Sequence, residues 1–147
     1  MKRFLLVVVI LILALGGWYA YTRYNEETPD VVSKKPDLTI TAGELLHAFD
    51  NDTAAARRLY IDKVIEVTGN VKKVDTTGSV VLGEEGSASE VTVGLDQRHL
   101  KDIKKLKTGS VVVVQGVCSG YDKGSGDDLL ASLGTTVELR SAGVKEK

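Results

Sequence analysis

Few side chains in this sequence have the types and spacing that catalysis or metal binding requires. The two histidines, His47 and His99, stand apart, and neither has a cysteine or carboxylate at a ligand spacing such as His-x-x-x-His. No serine lies in a Gly-x-Ser-x-Gly context that would mark a nucleophile. We therefore predict no catalytic residue and no metal site, and we expect a protein that is not an enzyme.

The acidic and glycine-rich segments do not predict a cofactor either. The neighbouring pairs Glu84-Glu85 and Asp127-Asp128 lack the alternating ligands of an ordered calcium loop, so we interpret them as polar turns. Gly124-Ser125-Gly126 does not open onto a helix and lacks the lysine of a phosphate-binding loop. The sequence thus favours no cofactor.

Cysteine content and charge exclude further classes of site. Cys118 is the single cysteine, which excludes an internal disulfide and any cysteine-rich zinc or iron-sulfur site. It lies in a mostly apolar segment, so we predict a small buried side chain and not a reactive thiol. The net charge of -1 and the pI near 6.1 show no overall bias toward nucleic acid or an anionic surface.

The N-terminal part of the chain predicts a membrane anchor. An unbroken apolar run begins at Phe4 and ends at Tyr21. At about 1.5 Å per residue it makes a helix of roughly 27 Å, close to the bilayer hydrocarbon thickness of about 30 Å. Basic residues precede the run and aromatic residues gather at its far end, which predicts a single-pass protein of the inner (plasma) membrane with its C-terminal domain outside the cytoplasm. The alternative is a cleaved signal, although bulky aromatic side chains crowd the place where a small-x-small cleavage site would stand.

Composition divides the chain into four parts. We predict an anchor at residues 1–24, a linker at residues 25–38, a folded domain at residues 39–143 and a tail at residues 144–147. The linker region contains both prolines of the chain, and no apolar side chain repeats there at a helical or strand period. The sequence therefore predicts one folded domain behind an extended tether.

Two short helices are predicted to open the domain. Thr41-Ala42-Gly43-Glu44 has the spacing of a capping box, and Leu45, Leu46 and Phe49 then fall on one helix face. Residues 50–53 are polar and are expected to interrupt the helix. Residues 54–60 predict a second helical piece.

Two long segments, each with a glycine in its middle, are expected to organise a sheet. Residues 63–74 contain Val67-Thr68-Gly69 and residues 110–121 contain Val114-Gln115-Gly116; a glycine inside a strand usually marks a bulge, a sharp coil or a barrel corner. Further strands are predicted at residues 79–82, 91–95 and 137–140. Before the fourth strand, Asp96 can cap a helix that ends at Thr108-Gly109, and Leu100, Ile103 and Leu106 share one of its faces.

This order of elements is the layout of the OB-fold, a five-stranded Greek-key barrel. More narrowly, Leu45-Leu46-x-Ala48-Phe49, residues 64–71 and residues 106–121 resemble the bacterial family called tRNA_anti-like, and the resemblance extends from about Thr39 to Ala142. It implies a mainly β fold: a five-stranded OB-fold barrel with N-terminal helices and a helix between strands 3 and 4, preceded by one transmembrane helix. It implies no catalytic motif and no particular ligand.

The domain lacks the pattern that OB-folds use for single-stranded nucleic acid, which is a basic groove with aromatic side chains for stacking. We interpret its aromatic residues Phe49, Tyr60 and Tyr121 as core. The densest basic cluster lies on the predicted helix between strands 3 and 4, where a solvated face is the simplest interpretation; it comprises Lys101, Lys104, Lys105 and Lys107.

These observations predict a membrane-anchored, non-enzymatic OB-fold module that binds or interacts in the cell envelope. The candidate ligand-binding residues are Tyr121, Lys72 and Asn70, and the ligand is not identified. An envelope protein or polymer is the expected partner, whereas a nucleic acid is not. The alternative is a nucleic-acid-binding OB-fold protein, for which only the fold argues.

Overall fold

The computed structural model describes residues 30–124 and 134–145, together with residue 12, residues 14–19 and residue 21. Most of the predicted anchor lies outside the described residues, as do the first part of the linker, residues 125–133 and residues 146–147. Residues 14–19 are helical. Among the described residues, no helix is both long enough and apolar enough to cross a bilayer.

The described part of the domain is built from strands with three short helices. The strands are β1 (Leu38–Thr41), β2 (Val64–Val74), β3 (Ser79–Leu82), β4 (Glu90–Leu95), β5 (Val111–Lys123) and β6 (Thr135–Lys145). Helices α1 (Ala42–Asn51) and α2 (Thr53–Tyr60) precede β2, and a 3₁₀ helix (Gln97–Lys105) joins β4 to β5.

Strands β2 to β6 form a closed barrel. The order around it is β2-β3-β4-β6-β5, and β5 pairs back onto β2 from Val117 opposite Val64 to Val111 opposite Asn70. All neighbours are antiparallel except β4 and β6, which run parallel. The predicted mainly β, five-stranded barrel of OB type is therefore confirmed.

The sheet also has a strand that the sequence analysis did not predict. Strand β1 pairs in parallel with β2, with Leu38 opposite Ile65 and Thr41 opposite Thr68. It has only four residues and follows a proline closely. The alternation of apolar and polar residues is therefore too short to distinguish this strand from an extended linker in the sequence. At the other end, β6 continues to Lys145, which lies inside the predicted tail.

The two central glycines lie where other parts of the chain pack closely against the barrel wall. Gly116 lies at a shift in the register between β5 and β6, and a Cβ atom there would be 2.8 Å from the Ala142 Cβ. At Gly69 a Cβ atom would be 2.9 Å from the Ala42 Cβ at the start of α1. Gly116 thus marks a bulge, and Gly69 lets helix α1 pack closely against β2.

Helix α1 closes one end of the core. The predicted capping box is present: the Thr41 hydroxyl accepts a hydrogen bond from the Glu44 N–H at 3.2 Å, and the Glu44 carboxylate accepts from the Thr41 N–H at 3.1 Å. The Thr41 hydroxyl also bonds to this carboxylate and, with that N–H, lowers the Glu44 pKa. Leu45 and Phe49 are fully buried, and Asp52 ends α1 and caps α2, as the polar interruption predicts.

The helix between β4 and β5 is a 3₁₀ helix. It ends at Lys105. The sequence predicted its end at Thr108-Gly109, which instead forms a turn after two residues without helical structure. Its apolar residues Leu100, Ile103 and Leu106 recur every three positions, which is the repeat of a 3₁₀ helix and not of an α-helix. The spacing that predicted a helix therefore also explains its type.

The end of the predicted linker is fastened to the barrel; we call residues 30–37 the strap. Gln115 is fully buried in β5, and its Nε2 donates hydrogen bonds of 2.7 Å to the carbonyls of Val31 and Lys34. Val31 is 6% exposed, and Asp37 exchanges two hydrogen bonds with the backbone of Val64. The chain is therefore in contact with the folded domain from residue 30 onward, whereas the composition predicted a linker that extends to residue 38.

Candidate functional site

A long cleft lies beside the middle of β2. Two hollows, with volumes of about 460 Å³ and about 430 Å³, adjoin at Asn70 and Gly83. We call the two together the β2 groove. One wall of it comes from the first turns of α1, and the other comes from the loop between β3 and β4, residues 83–89.

Lys72 holds the loop wall of the groove in place. Its Nζ donates a hydrogen bond of 2.9 Å to the Ser87 carbonyl and lies 3.2 Å from the Glu90 carboxylate. Only 21% of the side chain is exposed. The positive charge of Lys72 is therefore largely neutralised by a neighbour in the same barrel, and its main contribution is to position the loop.

The helix wall is fixed at its far end. The Asp50 carboxylate accepts a hydrogen bond from the Thr135 hydroxyl, and the Asp50 carbonyl accepts one from Lys123 Nζ at 3.0 Å. These contacts join α1 to β5 and β6. Because both walls are tied to the barrel, the groove is a preformed feature.

The groove has a mixed lining whose charged side chains are mostly acidic. Asp50, Glu84 and Glu85 line it, while Lys72 is paired with Glu90. Five glycines line it, and three of them, Gly43, Gly86 and Gly109, are exposed. Val111, which is 67% exposed, provides an apolar contact. Such a surface suits a neutral or cationic ligand with its own hydrogen-bonding groups better than a polyanion.

The structure separates the three residues that the sequence singled out for binding. Asn70 lines both hollows and is exposed, and Lys72 lines the second. Tyr121 does not line either hollow; its ring stacks on Phe49 with centroids 5.0 Å apart, and the Arg57 guanidinium lies 6.0 Å from its centroid. Tyr121 therefore packs at the edge of the hydrophobic core and does not belong to the groove.

The two histidines differ in their surroundings. His47 is exposed and its ring contacts the Asn51 side-chain amide. His99 does have carboxylate neighbours, contrary to the sequence analysis: its Nε2 is 3.1 Å from Asp30, and its Nδ1 is 3.6 Å from Asp102. Asp30 is remote in sequence, so only the fold reveals the contact; Asp102 follows three residues later, a spacing that was a usable signal.

The neighbours of Asp30 lower its pKa. Burial raises the pKa of this carboxyl, whereas hydrogen bonds from the Val32 N–H and the His99 side chain and the nearby charges of His99 and Arg98 lower it, and the net pKa is below its ordinary value. The Arg98 side chain and N–H likewise hold the pKa of Asp96 well below its ordinary range. Within residues 30–124 and 134–145, no group of three or more histidine, cysteine or acidic side chains is arranged to hold a metal ion.

The face that OB-folds use for oligonucleotides is formed here by β3 and β4. Its outward side chains include Ser79, Val81 and Thr92, because the alternate positions of both strands are buried. The aromatic rings lie elsewhere: Phe49 is fully buried and Tyr60 is 8% exposed. The β3–β4 face therefore presents small and aliphatic side chains where a nucleic-acid binder would place stacking rings.

Solved structures of other proteins are similar to this chain. A protein described as a candidate nucleic acid-binding lipoprotein from Klebsiella pneumoniae subsp. pneumoniae MGH 78578 is similar over 82% of this chain and 100% of its own, with 17% identity and a TM-score of 0.53. A candidate aspartyl-tRNA synthetase from Leishmania major Friedlin is similar over 88% of this chain and 26% of its own, with 15% identity and a TM-score of 0.42. No functionally curated protein matches the sequence.

The family comparison covers most of the chain. The model of the tRNA_anti-like family matches residues 1–129. This range includes the strap, both α-helices, strands β1 to β5 and all of the groove lining. The chain belongs to the tRNA_anti-like family.

Proposed function

We propose that this protein is a membrane-anchored, non-enzymatic OB-fold module of the cell envelope that binds an envelope protein or polymer in the β2 groove. The observation that carries the proposal is the groove itself. It is a preformed cleft of mixed polar and apolar lining, and its two walls are tied to the barrel by Lys72 and Asp50.

The shape of the groove suits a chain-like ligand. Its two hollows share Asn70 and Gly83, and we propose that one extended segment occupies both. The backbone of the exposed Gly43 and Gly86 and the Asn70 amide offer donors and acceptors, which recognise main-chain or sugar groups. The carboxylates of Asp50, Glu84 and Glu85 favour a neutral or cationic segment over a polyanion.

The proposed location is supported by the N-terminal sequence. The apolar run from Phe4 to Tyr21, with basic residues before it and aromatic residues at its end, has the pattern of a single-pass anchor. In this arrangement the barrel lies outside the cytoplasm and close to the bilayer. The groove is then open to other components of the envelope.

Site-specific photo-crosslinking tests the groove as the binding site. A photoreactive residue replaces Asn70 in the full-length chain, and the cells that produce it are irradiated. We expect a discrete adduct, because Asn70 is exposed where the two hollows meet. The same residue placed at Lys63, which is exposed and does not line the groove, is the positional control.

A matched pair of variants separates groove binding from incidental contact. Val111→Arg fills the groove from an exposed position, whereas Leu59→Arg adds the same charge at a half-exposed position on α2. We expect Val111→Arg to remove the Asn70 adduct and Leu59→Arg to leave it intact. An adduct that forms equally at Lys63, or one that survives Val111→Arg, would show that the groove is not the binding site.

Nucleic-acid binding is the second candidate function. The observation in its favour is the similar fold of the Klebsiella pneumoniae protein described as a candidate nucleic acid-binding lipoprotein. The only ring that this barrel could offer at its surface among the described residues is Tyr121, which lies under Arg57. Titration of the full-length chain with a labelled single-stranded oligonucleotide at low and high salt tests this function. Salt-dependent binding that is lost in Tyr121→Leu would support it, and no binding at low salt would exclude it.

A further inference from the structure

The 3₁₀ helix sorts its side chains into three rows. Because this helix has about three residues per turn, side chains three positions apart lie above one another. The first row is apolar and faces the barrel: Leu106 packs against the core, and the Leu100 Cδ2 reaches within 2.7 Å of where a Cβ on Gly78 would lie. Ile103 completes this row.

The second row faces the strap. His99 contacts Asp30 of the strap at 3.1 Å and Asp102 at 3.6 Å, and Asp102 pairs with Lys105 at 3.4 Å. Both His99 and Val32 of the strap also pack against Gly143, where there is no room for a Cβ. This row therefore fastens the N-terminal segment to the side of the helix.

The third row is basic and points to solvent. It contains Arg98, Lys101 and Lys104, and Lys107 follows just beyond the end of the helix. All four residues are exposed. Arg98 is held by the Asp96 carboxylate at 2.8 Å, which fixes the beginning of the row. We call these four residues the basic ridge.

The basic ridge is set on an otherwise acidic molecule. Residues 96–107 contain five basic and two acidic side chains. The remainder of residues 30–147 contains eleven basic and sixteen acidic side chains. The net charge of -1 for the whole chain conceals this asymmetry, which gives the barrel one face that is attracted to anionic surfaces.

The strap begins beside the basic ridge. Asp30 contacts His99, which lies in the row beside the ridge. Residues 22–29 separate Tyr21, the end of the apolar run, from Asp30, and a fully extended chain of that length spans at most about 30 Å. The side of the barrel that carries the ridge is thus the side to which the tether leads.

We propose that the basic ridge docks on the anionic lipid headgroups of the membrane in which the chain is anchored. The inference rests on the anchoring proposed above and adds an orientation to it. Phosphate groups of the lipids face Lys101, Lys104 and Lys107, and the strap holds its first residue, Asp30, beside the ridge. No residue of the basic ridge lines the β2 groove, and the two surfaces come near each other only where Thr108 and Gly109 follow Lys107, so docking leaves most of the groove accessible.

Lysine reactivity in reconstituted vesicles tests the proposal. The full-length chain is placed in vesicles of phosphatidylcholine alone or of phosphatidylcholine with phosphatidylglycerol, and amine labelling is quantified by mass spectrometry. We expect labelling of Lys101 and Lys104 to fall by about threefold or more in the anionic vesicles and to recover at high salt. Lys63 and Lys73 are exposed on other elements and serve as internal controls that do not change.

Variants and a competing ligand complete the experiment. Lys101→Glu with Lys104→Glu should make labelling of Lys107 equal in the two kinds of vesicle, whereas Arg58→Glu with Lys63→Glu should leave its protection intact. All four substituted side chains are exposed, and circular dichroism checks the fold. Equal labelling of the ridge in both vesicles would overturn docking, as would protection by a single-stranded oligonucleotide but not by anionic lipid. Retention of the chain in phosphatidylcholine vesicles after an alkaline wash reports on the anchor separately, so the two proposals can fail independently.

Discussion

Lys72 shows how a single side chain can shape a binding surface without being available to a ligand. Its Nζ contacts the Ser87 carbonyl and the Glu90 carboxylate, and its aliphatic chain packs so closely to Gly83 that a Cβ there would lie 3.0 Å from the Lys72 Cδ. The neighbouring Lys73 is exposed on the same strand. Two adjacent lysines that look alike in the sequence therefore have different roles.

We predict that Lys72→Met loosens the loop that forms one wall of the groove. The loss of one hydrogen bond and one ion pair should lower the free energy of unfolding by about 1 kcal/mol. Hydrogen exchange of residues 84–89 should quicken, whereas Lys73→Met should leave it unchanged. If exchange in this loop is the same in both variants, Lys72 does not position the loop.

Cys118 is a buried thiol in the wall of the barrel. It is fully buried, and this burial raises its pKa to about 11 from an ordinary value near 9. A thiol with that pKa holds about a hundredfold less thiolate at mildly alkaline pH, and the thiolate is the reactive form. The sequence predicted this role from the apolar surroundings of the residue.

We predict that Cys118 in the folded chain reacts with an aromatic disulfide reagent at least about a hundredfold more slowly than in denaturant. Because Cys118 is the only cysteine, the absorbance of the released thiol reports on this residue alone. A rapid reaction of the native protein would contradict the burial of the thiol.

At the scale of elements, the entry of α1 into the barrel depends on Gly69. The helix starts at Ala42, whose Cβ would be 2.9 Å from a Cβ at position 69, and the Leu82 Cβ would be 3.3 Å away on the other side. Gly116 is equally constrained by Ala142 and by the Arg140 carbonyl. The absence of a side chain at Gly69 and Gly116 lets α1 pack against β2 and lets β6 pack against β5 without a gap.

We predict that Gly69→Ala and Gly116→Ala each lower the free energy of unfolding by about 1–3 kcal/mol, because the added methyl group overpacks its site. Gly43→Ala is the matched control, since nothing lies within 4 Å of its Cβ position and alanine favours a helix. Urea unfolding followed by circular dichroism measures all three. Equal midpoints for the three variants would contradict the close-approach account.

The strap should be sensitive to acid through Asp30. The pKa of this carboxyl is lower in the folded protein than its ordinary value of 3.8. The contribution of Asp30 to stability is therefore complete above that ordinary value and is lost as the pH falls through the lower, folded pKa. We expect hydrogen exchange of residues 31–35, corrected for its intrinsic pH dependence, to quicken over this range. In Asp30→Asn the acid-induced change should disappear; a strap that stays protected in acid would contradict this role.

At the scale of the whole molecule, the barrel could be predicted because its signals are local. Alternating apolar residues, the two Val-x-Gly segments and the capping box each lie within a few positions of one another. The strap could not be predicted in this way, since Asp30 and Val31 find their partners in His99 and Gln115, far along the chain.

The candidate site was only partly accessible from the sequence for the same reason. Asn70 and Lys72 were singled out on a polar strand face, but the groove arises from α1 and from the β3–β4 loop, which the fold places on either side of them. Tyr121 was also singled out, yet its contact with Phe49 depends on how α1 packs against β5. The basic ridge needs the 3₁₀ geometry before its residues align.

The central claim is that this barrel is held at the membrane on its outer side. Protease digestion of sealed, right-side-out membrane vesicles that contain the full-length chain tests it most directly, and an alkaline wash is applied to a separate sample of the same membranes. The account predicts that the chain stays with the membrane through the wash and that added protease removes the barrel without lysis. Release of an intact chain by the wash, or a barrel that is digested only after lysis, would contradict it.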